Sequence, residues 1–329
     1  MNIKVYKTSE ISEEDWKQIA NGFNFCFDTQ HSVDHLMNYY VSTVFGYSYH
    51  AIAYTDDNKV MGYNSFIPTI YQYQGEKLLV GVSGGTFVLK EFRNNIFLFK
   101  DLMNALFEYC KSEGMVLKVG VPNKNSFRYT IKIIKSKLVG YLPYYILPVR
   151  AFTLLHVKKL NFLNVFSYIY CIVKIWLLDF FSRYIHVKAI SRKLQICADK
   201  DFYRFRFIDT RKYIKYESRQ YVGYYRICDE NGVKVAYIMD FREKGERTFR
   251  SLLHLVKYIV KHTSKVDAVM FIGTLGFKQP LLLKVPWRLE PKHLPMTVNV
   301  LNKESNEVLE KVVEDLKSWE FGLMNFDAR

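Results

Sequence analysis

The chain has 329 residues, enough for two domains of about 150 residues rather than one small one. Apolar residues make up 49% and charged residues 24%, near globular averages, so a full core is available. A net charge of +15 favours anionic partners such as nucleotides, phosphorylated carriers, anionic lipid or nucleic acid. Between residues 151 and 220, fourteen Lys or Arg meet five acids, so more than half of the excess falls there, as a solvated basic surface or an anion-binding face. The five cysteines, Cys26, Cys110, Cys171, Cys197 and Cys228, are scattered and form no C-x-x-C. That argues for a reducing cytoplasm and against a disulfide frame or a zinc site. The first residues, "MNIKVYKTSEISEEDW", hold no apolar signal core, and secretion is not expected.

In chain order, "ISEEDWKQIANGFNF" reads as a helix start, with Ser12 as cap and acids in the first turn. A meander follows: "SYHAIAY", a turn at "TDDN", "KVMGYNSFIPTIYQY", a turn at "QGE", then "KLLVGVSGGTFVL". Leu98, Leu102, Ala105, Leu106 and Tyr109 recur at helical spacing, and Gly114 closes that helix. The strand "MVLKVGV" runs into Pro122-Asn123, and a short helix-like stretch follows.

The stretch Leu160 to Ile185 is apolar, but its longest uncharged run has 14 residues, and Lys174 and Asp179 interrupt it further. A spanning helix needs about 20. A helix packed on protein is expected, with one lying on a membrane surface as the alternative. The second half repeats the element order of the first: the hairpin "GYYRICDENGVKVAYIMDF" with its Asn231-Gly232 turn, the amphipathic "RTFRSLLHLVKYIVKHTSK", and the buried strand "VDAVMFIG". Strand–turn–strand, helix, strand therefore occurs twice, and predicts two α/β domains.

The loop "LKEFRNN" joins a strand to a helix. Free N–H groups at a helix N-terminus attract phosphate, and Arg93 adds charge there. If "MVLKVGV" lies parallel to "GVSGGTFV" and the two splay, a slot opens in which a ligand amide could pair as an added strand. Asn123 and Asn125 would then stand at its mouth, with Tyr129 one turn beyond; a plain turn and a packed tyrosine are the alternatives. In "FDTQHSVDH", Asp28, His31, Asp34 and His35 lie close together. His31 and His35 have the spacing of two metal ligands on one helix face, but no third ligand is identified and no metal is expected.

The order of "HAIAYTDDNKVMGY", "GVSGGTFVLKEFRNNIFLFKDLMNALFEYCKSEG" and "KVGVPNKNSFRYTIK" resembles the GNAT superfamily of N-acyltransferases, and more narrowly tandem-GNAT proteins related to the Fem-type transferases. Gly62, Thr86-Phe87-Val88, Arg93, Gly120, Pro122-Asn123 and Asn125-Ser126 carry the likeness, and the tail with Trp319 and Asp327 is similar to the end of such chains.

The resemblance implies two GNAT-like domains in tandem, each a mixed, mainly antiparallel sheet with flanking helices, and a splayed parallel strand pair in the first. The expected domains are 1–150 with the acyl site, a basic aromatic helical connector over 151–200, and a degenerate repeat over 201–329 that shapes the acceptor groove. It also implies acetyl-CoA held at Phe87, Val88, Arg93, Asn94, Asn95, Asn125 and Ser126, with direct attack of an amine on the thioester. Tyr129, Asn123 and Asp28 are then the candidate catalytic residues, with His31, Asp34, His35 and Asp327 as further candidate bases. The implied acceptor is an anionic or amphipathic amine, and an amino sugar on a nucleotide or lipid carrier fits. The implied place is the cytoplasm, with peripheral contact at the inner membrane face.

The family's loop is typically Arg/Gln-x-x-Gly-x-Gly/Ala, whereas here Ile96 and Leu98 take the glycine places. Close backbone approach to a pyrophosphate needs those glycines, so the cofactor binds in shifted geometry or not at all. Two other readings stand beside this one: a non-catalytic GNAT-like binding protein, and an aminoacyl transferase using charged tRNA. Nucleic acid is otherwise not an expected partner.

Overall fold

A computed structural model describes residues 1–182, 194–207, 212–302 and 307–326. The chain divides into two compact units: Met1–Gly140 with Lys193–Arg206 and Leu294–Ser318, and Tyr141–Arg192 with Phe207–His293 and Trp319–Arg329.

The first unit opens with β1 (Asn2–Lys7), α1 (Glu13–Phe27), α2 (Val33–Val41), β2 (Tyr49–Tyr54), β3 (Val60–Tyr73) and β4 (Glu76–Val88). It continues with α3 (Ile96–Ser112), β5 (Leu117–Gly120), α4 (Lys124–Lys132) and β6 (Lys137–Tyr141). The second unit begins with β7 (Tyr144–Pro148), α5 (Ala151–Leu154) and α6 (Asn164–Phe181). The chain returns to the first unit for β8 (Leu194–Ile196) and α7 (Lys200–Arg206). It then gives the second unit β9 (Ile214–Glu217), β10 (Tyr221–Glu230), β11 (Val233–Glu243), α8 (Phe249–His262), β12 (Ala268–Ile272) and β13 (Leu283–Lys284). β14 (Pro295–Val300) and α9 (Glu307–Val313) go back to the first.

Local chemistry explains most boundaries in the first unit. Ser12 Oγ caps α1 by accepting from Asp15 N at 3.1 Å, and Gly114 takes φ +85° just beyond α3. The β2–β3–β4 meander is antiparallel throughout. Its sheet has the order β1-β2-β3-β4-β5-β14-β6, with β8 on the far part of β3. One face packs on α1 and α2 through Trp16, Ile19, Phe23, Tyr40 and Phe87. The other packs on α3 through Leu98, Leu102, Leu106, Phe66 and Met115.

Two strands fall outside the expected bounds. β14 lies at 295–300 but pairs antiparallel with β5, and β7 lies before residue 150 but pairs with β12. Residues 151–182 are likewise built into the second unit rather than standing as a connector. Both strands satisfy sheet edges far away in sequence, and a local hydrophobic pattern cannot announce that pairing.

The second sheet has the order β13-β7-β12-β11-β10-β9. Its hairpin turns at Asn231 (φ 55°) and Gly232 (φ 82°), both left-handed as a two-residue turn requires. α8 is capped by Thr248, whose Oγ1 accepts from Ser251 N at 3.0 Å, and lays Leu252, Val256 and Ile259 on the sheet. α6 fastens to the same core by a narrow stripe, Cys171 and Ile175, with Leu178 beside them.

β11 and β12 run parallel from Val235/Ala268 to Ile238/Phe271, and β11 then continues to Glu243 laddered to β10 alone. The chain's own tail lies against the region beyond β12. Gly273 bridges Gly322, and Thr274 N donates to Phe321 O at 2.8 Å. A Cβ on Gly273 would lie 2.2 Å from Phe321 O, so glycine is required there. Buried charges complete the filling: Arg242 bonds Asp240 at 2.9 Å and Glu320 at 2.7 Å, and Arg247 bonds Asp240 at 2.9 Å.

Candidate functional site

In the first unit, β4 and β5 pair in parallel from Val80/Leu117 to Val82/Val119 and no further. β4 runs on through Ser83–Val88, laddered to β3 alone, while β5 ends at Gly120 and turns away at Pro122. The expected splay is therefore present. Its cause is a β-bulge. The β3–β4 register shifts between Asn64/Thr86 and Phe66/Ser83, so Gly84 and Gly85 stand opposite the single residue Ser65. An extra residue of this kind bends the strand and ends its pairing.

The two bulge glycines are required by close packing. A Cβ on Gly84 would sit 2.3 Å from Ser65 Oγ, and one on Gly85 2.2 Å from the Phe23 ring. Tyr40 Oη holds the bulge, accepting from Gly85 N at 3.3 Å and from Ser65 Oγ at 3.1 Å. Behind it, His50 shares hydrogen bonds with Tyr63 Oη at 2.7 Å and Thr8 Oγ1 at 2.9 Å. Burial pushes His50 down to about 3, so the ring is neutral.

The floor of the split lies where β4 and β5 last meet. A Cβ on Gly120 would fall 2.7 Å from Ser83 Oγ and 3.4 Å from Lys118 Nζ. Lys118 is 3% exposed, and burial lowers its ammonium to about 8. No sequence reading singled it out. The signal was there, as a lone lysine inside the apolar run "MVLKVGV".

Around the mouth, the sequence candidates fall as follows. Phe87 is buried between Phe23 and Tyr63, with ring centroids at 5.2 and 5.7 Å. Val88 O accepts from Arg93 Nε at 2.9 Å, and Arg93 Nη2 reaches Cys26 Sγ at 3.5 Å, tying the loop to the end of α1. Asn94 is exposed. Asn95 caps α3, its Oδ1 accepting from Phe97 N at 3.1 Å. A phosphate at this N-terminus would compete with that cap. Leu98, standing in a glycine place, is wholly buried in the α3 core.

Asn123 caps α4, its Oδ1 accepting from Asn125 N at 3.0 Å and Ser126 N at 2.9 Å. The side chain of Asn125 is exposed, and Ser126 Oγ donates back to Asn123 Oδ1 at 3.1 Å. Tyr129 is 49% exposed, edge-on to Phe99 at 6.5 Å.

Asp28 is exposed at the left-handed C-cap of α1 (φ 52°), two residues beyond Cys26. The loop to α2 is pinned by Asn24, which donates to His31 O at 2.9 Å and accepts from His31 N at 2.8 Å. Ser32 caps α2, so His31 stands before the helix rather than one turn along it. Its ring still stacks on His35 at 4.7 Å, and burial with the neighbouring His35 lowers its pKa. Among the described residues no group of three or more His, Cys, Asp or Glu could hold a metal ion. Asp327 lies outside the described residues.

A cleft of about 360 Å³ lies elsewhere on this unit, lined by Thr43, Thr69, Lys77, Asp199 and Phe202; none of the split residues lines it.

No protein-family model matches the sequence, and no curated protein matches it either. Solved structures do match the fold. A GCN5-related N-acetyltransferase from Anabaena variabilis superposes with a TM-score of 0.57 at 10% identity, over 92% of this chain and 73% of that one. A probable N-acyltransferase from Enterococcus faecalis gives 0.57 at 12% identity over the same shares. Eis1 from Mycobacterium abscessus gives 0.54 at 8% identity, over 95% of this chain and 76% of that one. The fold is thus the GNAT fold, in a mixed α/β arrangement that fits two tandem domains.

Proposed function

We propose that the protein is an N-acyltransferase that draws its acyl group from acetyl-CoA through the β4–β5 split and passes it to an amine. One observation carries the reading: parallel pairing stops at Val82/Val119 while β4 continues, bulged and glycine-lined, with an open edge. An unpaired strand edge can hold the amides of an acyl-pantetheine arm as an added strand. The split therefore fits that arm. The α3 terminus fits its phosphates only if Asn95 gives up its cap, with Arg93, Asn94, Asn125 and Ser126 nearest the path.

When bound, the thioester supplies the activated acyl carbon; everything else falls to the chain. The bulge held by Tyr40 fixes the strand edge that would align the carbonyl. Asn123 positions the start of α4, and Asp28, exposed at the end of α1, is the carboxylate proposed to take the proton of the attacking ammonium. The second unit is proposed as the repeat without a cofactor, since its own tail lies against the corresponding region. Calorimetry with acetyl-CoA tests the reading: saturable binding that Gly120→Val abolishes is expected, and no binding at millimolar concentration overturns it.

The proposed acceptor is an amphipathic amine met at a lipid surface, with the protein in the cytoplasm and peripheral at the inner membrane face. The region Lys159–Phe181 is long and apolar enough to cross a membrane, with mean hydropathy 1.5, yet it is held on the second unit by Cys171 and Ile175. Both charges of α6 are bound to protein: Lys174 Nζ donates to Leu281 O at 3.0 Å and Asp179 pairs Lys257 at 2.6 Å. Phe166, Ile169, Tyr170, Val173, Trp176 and Phe180 remain exposed, an apolar face suited to lie in a lipid interface. Residues 183–185 of the apolar stretch, and part of the basic region, lie outside the described residues.

A further inference from the structure

We propose that Lys118 is the catalytic residue that protonates the leaving thiolate in the β4–β5 split. The inference rests on the acyl-CoA reading above. Lys118 pairs directly with Gly81 of β4 and Asn299 of β14, and residues directly opposite in a ladder share a face. A Cβ on Gly81 would touch Met115 and Phe66, which belong to the α3 core, so Lys118 stands on the α3 face of the sheet. α3 is the helix whose N-terminus follows the split strand, and it is there that the phosphates, and with them the tether of the thiol, belong. The candidate base Asp28 ends α1, a helix on the opposite face. Acid and base would therefore flank the acyl carbon from the two sides of the sheet.

The second argument is the state of the side chain. Lys118 is 3% exposed and its Nζ makes no hydrogen bond or ion pair among the described residues, yet that Nζ is not fully enclosed, so its tip keeps access to solvent. Enclosing an ammonium with no partner is costly even where its tip stays wet, and a chain that does so beside an open strand edge has a charge to meet there. The neighbours on this face are neutral: Ser83 of β4, Thr297 of β14, and Asn299, whose Oδ1 accepts from Ser136 Oγ at 2.7 Å. Burial lowers Lys118 to about 8. An ordinary thiol ionises near pH ~8.5, so the two groups are matched for proton transfer. Tyr129, the sequence candidate for this role, is 49% exposed on α4.

The step balances. The acceptor nitrogen bonds to the acyl carbon, the carbon–sulfur bond breaks, and its electron pair leaves on sulfur. Lys118 gives sulfur a proton and becomes the neutral amine. The proton lost by the acceptor nitrogen passes to the base on the other face, and Lys118 recovers its own from solvent as product leaves.

The test reads the ionisation of bound CoA rather than turnover. The ultraviolet thiolate band of CoA is titrated against pH when bound to the wild type and to Lys118→Met, with melting curves of both. Lys118→Met removes an enclosed charge that has no ion-pair partner among the described residues and is expected to melt no lower than the wild type. Wild type should lower the thiol pKa of bound CoA by about one unit or more, and Lys118→Met should lose that shift. Identical titrations with CoA bound to both proteins overturn the assignment, as does mass spectrometry finding the acyl group on Lys118 itself. A wild type that binds no CoA removes the acyl-CoA reading first, a failure that the calorimetry separates from the other two.

Discussion

Acidification isolates the contribution of one buried ring. His50 is fully buried under the bulged strand, edge-on to Trp16 at 5.4 Å and to Tyr40 at 4.8 Å, with no ion pair to an acid among the described residues. Its native pKa of about 3 lies below its ordinary value of 6.5. Between those values the unfolded chain binds a proton that the native chain does not, so stability falls as the pH drops from 6.5 toward 3. Each pH unit in this window costs about 1.4 kcal/mol, which makes the loss at a pH of about 4.5 close to 3 kcal/mol. Urea unfolding of wild type and His50→Gln across this range measures it. Carboxylates titrate in both proteins and cancel, so the variant curve should be flatter by about 1.4 kcal/mol per pH unit. Parallel curves would show that the ring is already protonated in the native state, and the neutral chain His50–Tyr63 behind the bulge would be wrong.

Other outcomes follow from the same geometry. Asn123→Ala removes a two-donor cap and should cost about 1 kcal/mol of stability, read by urea midpoint, with a drop in acyl transfer larger than the stability loss explains. Gly120→Ala places a methyl 2.7 Å from Ser83 Oγ; a fold retained by circular dichroism with weakened acetyl-CoA binding is expected, and unchanged binding would remove the split as the site. Arg242→Met leaves the buried carboxylates of Asp240 and Glu320 to Arg247 alone and should destabilise by about 3 kcal/mol in thermal unfolding. Ile169→Glu with Trp176→Glu should abolish cosedimentation with anionic vesicles while leaving acetyl-CoA binding intact.

The parts legible in the sequence were those decided locally. The β2–β3–β4 meander was marked by its turns, α1 by Ser12, the second hairpin by Asn231-Gly232, and the repeated element order by alternation of pattern. The split was foreseen from the Pro122-Asn123 stop, and the structure adds its cause, a bulge at Gly84-Gly85 that only the partner strand's register reveals. Sheet order was hidden, because the pairings of β14 with β5 and of β7 with β12 join distant segments. Lys118 was hidden for another reason. Its lysine was visible, but its burial depends on β4, β5 and β14 meeting, and a single charge in an apolar run says nothing about which neighbours enclose it. The His31/His35 pair was half legible: the rings do meet, but by stacking across a helix cap.

The pairing of β14 with β5 has a consequence for how the protein is made. Thr297 Oγ1 donates to Gly120 O across 177 residues of chain, so the strand that backs β5, one wall of the split, is absent until most of both units has been made. Strands β1 to β5 emerge early and must wait with the outer edge of β5 bare, which makes the nascent chain vulnerable to pairing with a neighbour. Because loop closure over such a span is slow, competence to bind ligand should be among the last properties the chain acquires during synthesis.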